Sequence, residues 1–157
     1  MTSETTREDS EKSADAAPEP RFIYAVGALD RSIRRKLVAV LEPFQLTIAD
    51  YTALSLIRRR NGYSNAQLAR RAFVSPQAMN QVIKSLEERR LIERTQSHSH
   101  GSVLNVFLTR AGCDVLDRCD DAVDAMEGTI LEHVPADLRA QCLALMLDLA
   151  RHIGQTG

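Results

Sequence analysis

From Phe22 onward the apolar residues Phe22, Val26, Leu29, Ile33, Leu37 and Leu41 recur at spacings of 4, 3, 4, 4 and 4. That is the period of a helix with one apolar face, and Pro43 stops it. A second helix is predicted in "LTIADYTALSLIRRRNGY", with Thr47 as N-cap, Asp50 three residues later and an end near Asn61-Gly62. "SNAQLARRAF" opens with Ser64 and has Gln67 three positions on, a capping box for a short third helix. In "VSPQAMNQVIKSLEERRLI", Ser75 caps and Pro76 takes the first helical position, with Met79, Ile83 and Leu86 as the inward face and Val82 beside them. "LIERTQ" and "VLNVFLT" flank a polar loop with Gly101 and predict a two-stranded hairpin. A long helix follows from Thr109 to near Pro135, and Leu138, Cys142, Leu145, Leu149 and Ile153 then stripe a terminal helix at spacings of 4, 3, 4 and 4.

The fold class that follows is mainly α with a small β-hairpin. The first 20 residues are excluded from it. They carry six acids, two bases and almost no large apolar side chain, so they cannot bury enough surface to order themselves. No apolar run approaches the roughly 20 residues needed to span a bilayer, and no basic-then-apolar leader is seen at the N-terminus, which points to a cytoplasmic protein. Cys113, Cys119 and Cys142 form no CxxC pair and are odd in number. They indicate neither a disulfide framework nor a zinc site, and small core residues are the plain reading, with redox sensing as the other.

The formal net charge of −1 hides segregation. Residues 31–94 hold thirteen bases against five acids, net +8, whereas residues 1–20 are at −4 and residues 95–157 at −5. A basic middle between acidic ends suits a polyanion. Glycine-rich phosphate loops, nucleophile elbows, HExxH and paired carboxylates in an apolar setting are all missing, so an enzyme is not expected and no cofactor is implied. The acids Asp114, Asp117, Asp120, Asp121 and Asp124 spread around their helix as a solvated face.

A short helix, a tight turn, a second helix and a hairpin make a winged helix-turn-helix, whose second helix fits the major groove of double-stranded DNA. On that helix Gln77, Asn80, Gln81 and Lys84 fall at i, i+3, i+4 and i+7. Gln and Asn can each bond bidentately to adenine, and Lys can reach guanine or phosphate.

Residues 46 to 112, "LTIADYTALSLI…LARRAFVSPQAMNQVIKSLEERRLIER…LTRAG", resemble the MarR-type (multiple antibiotic resistance regulator) winged-helix transcription factors, down to the "LT..G" signature after the wing. The resemblance implies a homodimer reading a pseudo-palindrome, most simply a repressor. It divides the chain into a tail (1–20), an N-terminal dimerisation helix (21–45), a DNA-binding winged domain (46–108) and C-terminal dimerisation helices (109–157). By position, Ser75, Gln77, Asn80 and Gln81 face bases, with Pro76 in the same turn. Ser64, Asn65, Lys84 and Arg94 meet phosphates. Gln81 stands where the family often has Arg, which shifts preference from guanine towards adenine.

The wing departs further. His100, Gly101 and Ser102 fall where the family has Asp-x-Arg, and a neutral side chain cannot supply that electrostatic contact. His98, His100 and Ser102 are then weak DNA contacts. Most phosphate affinity passes to Arg70, Arg71, Lys84, Arg89, Arg90 and Arg94. His98 and His100 project the same way on an extended segment; a solvated loop is the plain reading, and a metal or pH response the other. The family also implies release by a small aromatic effector. A pocket for it draws on Phe22, Tyr24, Val26, Tyr51, Leu54 and Val115, for each of which plain core is the simpler reading. The competing function is a partner-binding or metal-, pH- or redox-responsive winged-helix protein with weak DNA affinity.

Overall fold

The computed structural model describes residues 21–96 and 104–155. The described residues divide into two units, 21–33 and 34–155. Helix α1 spans Phe22–Leu41, so only its first part belongs to the first unit. There Phe22, Ile23, Tyr24, Val26 and Leu29 are exposed, whereas Leu41 at the far end is fully buried in the core of the second unit. Pro43 lies in a 3-10 turn, Glu42–Phe44, that ends the helix as the sequence predicts.

In the second unit α2 (Ile48–Arg59), α3 (Asn65–Arg71), α4 (Pro76–Glu88) and α5 (Arg110–Leu131) each start on a hydroxyl cap. The Thr47 and Ser64 caps are reciprocal boxes. Asp50 N–H donates to the Thr47 hydroxyl (3.1 Å) while Thr47 N–H donates to the Asp50 carboxylate (2.9 Å). Gln67 and Ser64 repeat the arrangement at 3.3 and 2.9 Å. Each satisfies two N–H groups that a helix start otherwise leaves unpaired.

The sheet has one strand more than the predicted hairpin. β2 (Ile92–Gln96) and β3 (Leu104–Leu108) pair antiparallel with Ile92 opposite Leu108, and β1 (Tyr63–Ser64) adds to the other side of β3, giving the order β1-β3-β2. Gly62, at φ 83, turns the chain into β1, and its N–H donates to the Val106 carbonyl at 3.3 Å. A two-residue strand carries no alternation, which is why the hydrophobic pattern gave no sign of it.

Leu54, Ile57, Leu68, Met79, Ile83, Leu86, Val106, Leu116 and Cys119 form the centre of one buried cluster, which brings α2, α3, α4, α5 and the sheet onto a common core. The "LTRAG" run closes it at the start of α5. The Thr109 hydroxyl donates to the Arg90 carbonyl (2.7 Å), Thr109 N–H donates to the Leu91 carbonyl (3.1 Å), and Gly112 N–H donates to the Thr109 hydroxyl (3.1 Å). A Cβ on Gly112 would lie 2.0 Å from the Leu91 oxygen, so only glycine lets α5 approach this backbone so closely. Helix α6 (Ala136–Gln155) differs from the rest, because no described residue of it is buried.

Candidate nucleic-acid interface

Helix α4 buries Met79, Ile83 and Leu86 and turns Gln77, Asn80, Gln81 and Lys84 to solvent, the division the sequence predicts. Ser75 is spent on its cap, accepting from Ala78 N–H at 3.2 Å. Asn65, expected to touch phosphate, ties α3 to α4. Its amide donates to the Pro76 carbonyl at 3.3 Å, and its Oδ1 is buried without a partner. Asn65 thus sets the angle at which the first turn of α4 is presented.

Seven of the basic side chains of residues 31–94 fall into two groups. Arg94 donates from Nε and from Nη2 to the two carboxylate oxygens of Glu87, joining β2 to α4. That hydrogen bond holds the Glu87 carboxyl below its ordinary range and raises Arg94. Arg89 donates to the Phe44 carbonyl (3.4 Å) and lies 3.9 Å from Asp50, which is buried. Lys84 is 3.9 Å from Glu88. Arg58 reaches Asp117 and Asp120 on α5, so the predicted solvated acidic face is partly paired.

The second group is Arg60, Arg70 and Arg71, which line a cavity of about 240 Å³ with Tyr63 and Gln67. Among the described residues none of these three has a carboxylate in ion-pair range. Arg70 and Arg71 were expected at DNA. Arg60 and Tyr63 were not singled out, although "RRRNGY" places an aromatic beside a basic run and is the signal that could have found them.

Comparison with known proteins places this geometry. The model described as MarR family matches residues 44–101. The HTH-type transcriptional repressor Rv2887 of Mycobacterium tuberculosis is 36% identical over 123 residues, 78% of this chain and 86% of the relative. Mb2911 of Mycobacterium bovis, also named an HTH-type transcriptional repressor, matches to the same extent. The chain belongs to the MarR family.

Two solved structures of the MarR family protein Rv2887 extend the likeness. The complex with salicylic acid aligns at a TM-score of 0.69 with 29% identity, covering 85% of this chain and 99% of that one. The complex with DNA aligns at 0.70 with 25% identity, covering 83% and 98%. The repressor CouR, bound to a 23-mer DNA duplex, shares the fold at a TM-score of 0.78 and 24% identity over 83% of this chain and 92% of that one.

His98, His100 and Ser102 lie outside the described residues, as does the tail. Of the six effector-pocket candidates, Phe22, Tyr24 and Val26 are exposed on α1. In the second unit Leu54 is fully buried, Val115 half-buried, and the half-buried Tyr51 donates its hydroxyl to Asp120 at 2.8 Å. Burial pushes the Tyr51 phenol above its ordinary pKa. Cys119 is buried and its thiol is likewise pushed up by burial, the opposite of what a reactive thiolate needs. Cys113 and Cys142 are half-buried free thiols. No helix is long and apolar enough to cross a membrane among the described residues.

Proposed function

We propose that this MarR-family chain is a homodimeric, sequence-specific DNA-binding transcriptional regulator acting as a repressor in the cytoplasm, and that a small aromatic ligand releases it from its operator. The observation that carries the reading is the stripe Gln77, Asn80, Gln81 and Lys84, exposed on a helix that a Ser75 cap, Asn65 and a buried inner face hold rigidly. Base-edge recognition needs donors and acceptors presented from a fixed frame. Residues 46–108 form the reading part, and residues 21–45 and 109–157 the dimerising parts. The DNA-bound and salicylate-bound structures of Rv2887 support the two ligand classes. Regulation of this kind needs no catalysis and no cofactor. Coupling requires the aromatic ligand to favour one spacing of the two reading helices over another.

The test is selection of the purified chain on random duplexes, repeated with Ser102→Arg. An inverted repeat with half-site centres about 10 base pairs apart is expected from the natural protein. The arginine variant should bind the same repeat more tightly. Failure of both proteins to enrich any repeat would overturn the DNA-reading role in favour of partner binding.

A further inference from the structure

The basic middle segment does not offer its charges evenly. Arg58, Arg89 and Arg94 are engaged by Asp117 and Asp120, by the Phe44 carbonyl and Asp50, and by Glu87. Arg60, Arg70 and Arg71 instead converge on one cavity with no counter-charge among the described residues. Two of them share a ring: the guanidinium carbons of Arg60 and Arg71 lie 5.6 and 5.1 Å from the Tyr63 centroid. Tyr63 is only 5% exposed and sits in β1 opposite Val106, so the platform beneath both cations is fixed by the sheet. Gln67 spends its carbonyl oxygen on Ser64 N–H, which leaves its amide donors to the cavity. Three like charges gathered around one opening repel one another until an anion enters, and forked guanidinium donors suit a tetrahedral oxyanion.

We infer that this cleft binds an oxyanion, and that the oxyanion is a backbone phosphate of the bound duplex. The inference rests on the DNA-reading role and adds to it a grip built from the end of α2, β1 and α3, not from the reading helix. DNA is favoured over a free anion because the cleft lies within the segment of net charge +8. In addition, residues 97–103, which join β2 to β3, contain no Lys or Arg to serve the backbone. Phosphate contacts carry no base information, so loss of the cleft should weaken all sequences alike.

The experiment measures binding of the full chain to the selected operator and to a random duplex across a salt series. R60Q and R71Q are compared with R59Q, which removes an exposed charge one residue outside the cleft. Each cleft variant should bind about tenfold more weakly on both duplexes and lose about one from the slope of log affinity against log salt, with R59Q nearer the natural protein. Unchanged slopes for R60Q and R71Q overturn the cleft, as does an equal loss for R59Q. Calorimetric binding of inorganic phosphate that R60Q abolishes, with DNA slopes unaltered, assigns the site to a free anion and overturns the DNA source. If the natural protein binds no duplex, the DNA-reading role falls and the cleft's with it. If it binds and the variants match it, only the cleft falls.

Discussion

Phe73 sits at φ 54, a left-handed backbone that bulky side chains avoid, and its ring is 86% exposed. The turn between α3 and α4 requires that conformation. Val74 N–H reaches back to the Ala69 carbonyl (3.0 Å) and Phe73 N–H to the Arg70 carbonyl (3.4 Å), the paired bonds that close a helix through a left-handed residue. Glycine takes this position at no steric cost, whereas another residue loses about 1–2 kcal/mol. Phe73→Gly should therefore raise the unfolding free energy by up to about 1 kcal/mol after glycine's extra chain entropy, seen as a higher denaturant midpoint with an unchanged denaturant slope. A lower midpoint would show that the exposed ring stabilises the turn by more than the strain it causes. Arg90, at φ 57, closes α4 in the same way through Leu91 and Leu86. These residues explain an asymmetry in what the sequence revealed. Helix starts were legible because Thr47, Ser64, Ser75 and Thr109 are hydroxyl caps, while these two ends had no glycine to announce them.

Between elements the decisive contacts join residues far apart in the chain, and no local pattern encodes them. Hydrophobic spacing found the inner face of α4, but it could not show that Arg94 would be held by Glu87, or that Tyr51 would reach Asp120. The Glu87–Arg94 pair fastens α4 to β2, and its effect on pH dependence has a definite sign. The Arg94 hydrogen bond holds the Glu87 carboxyl in the folded protein below the ordinary glutamate range. The stabilisation is thus present above the unfolded value and lost as pH falls through the folded one. Melting temperature followed from neutral to acid should fall more gently below about pH 4.5 in Glu87→Gln than in the natural protein. The variant and the natural protein should converge in strong acid, where Glu87 is protonated and as neutral as the carboxamide. Parallel curves would mean that this half-exposed pair contributes nothing measurable, as many surface pairs do.

At the scale of the whole molecule, the terminal stripe is left unburied by the described residues. Leu138, Leu145 and Ile153 are 45, 59 and 67% exposed, and Leu143, Met146 and Leu147 add apolar surface beyond the predicted seam. A helix apolar over so much of its circumference is buried in its working state, and a second copy of the chain is the partner that the MarR-family reading supplies. Leu138→Glu with Leu145→Glu places two charges on that surface at positions already exposed, so the monomer should keep its helical content by circular dichroism. Sedimentation should then find it at half the natural mass. Two reading helices that are no longer joined must each bind a half-site alone, which removes the gain of effective concentration, roughly 100-fold to 10,000-fold for linked sites. Affinity for the inverted repeat should fall towards that for a single half-site, while the half-site itself is bound as before. A monomer that still held the whole repeat at natural affinity would mean that each winged domain reads DNA independently, and the exposed face of α6 would then need another occupant.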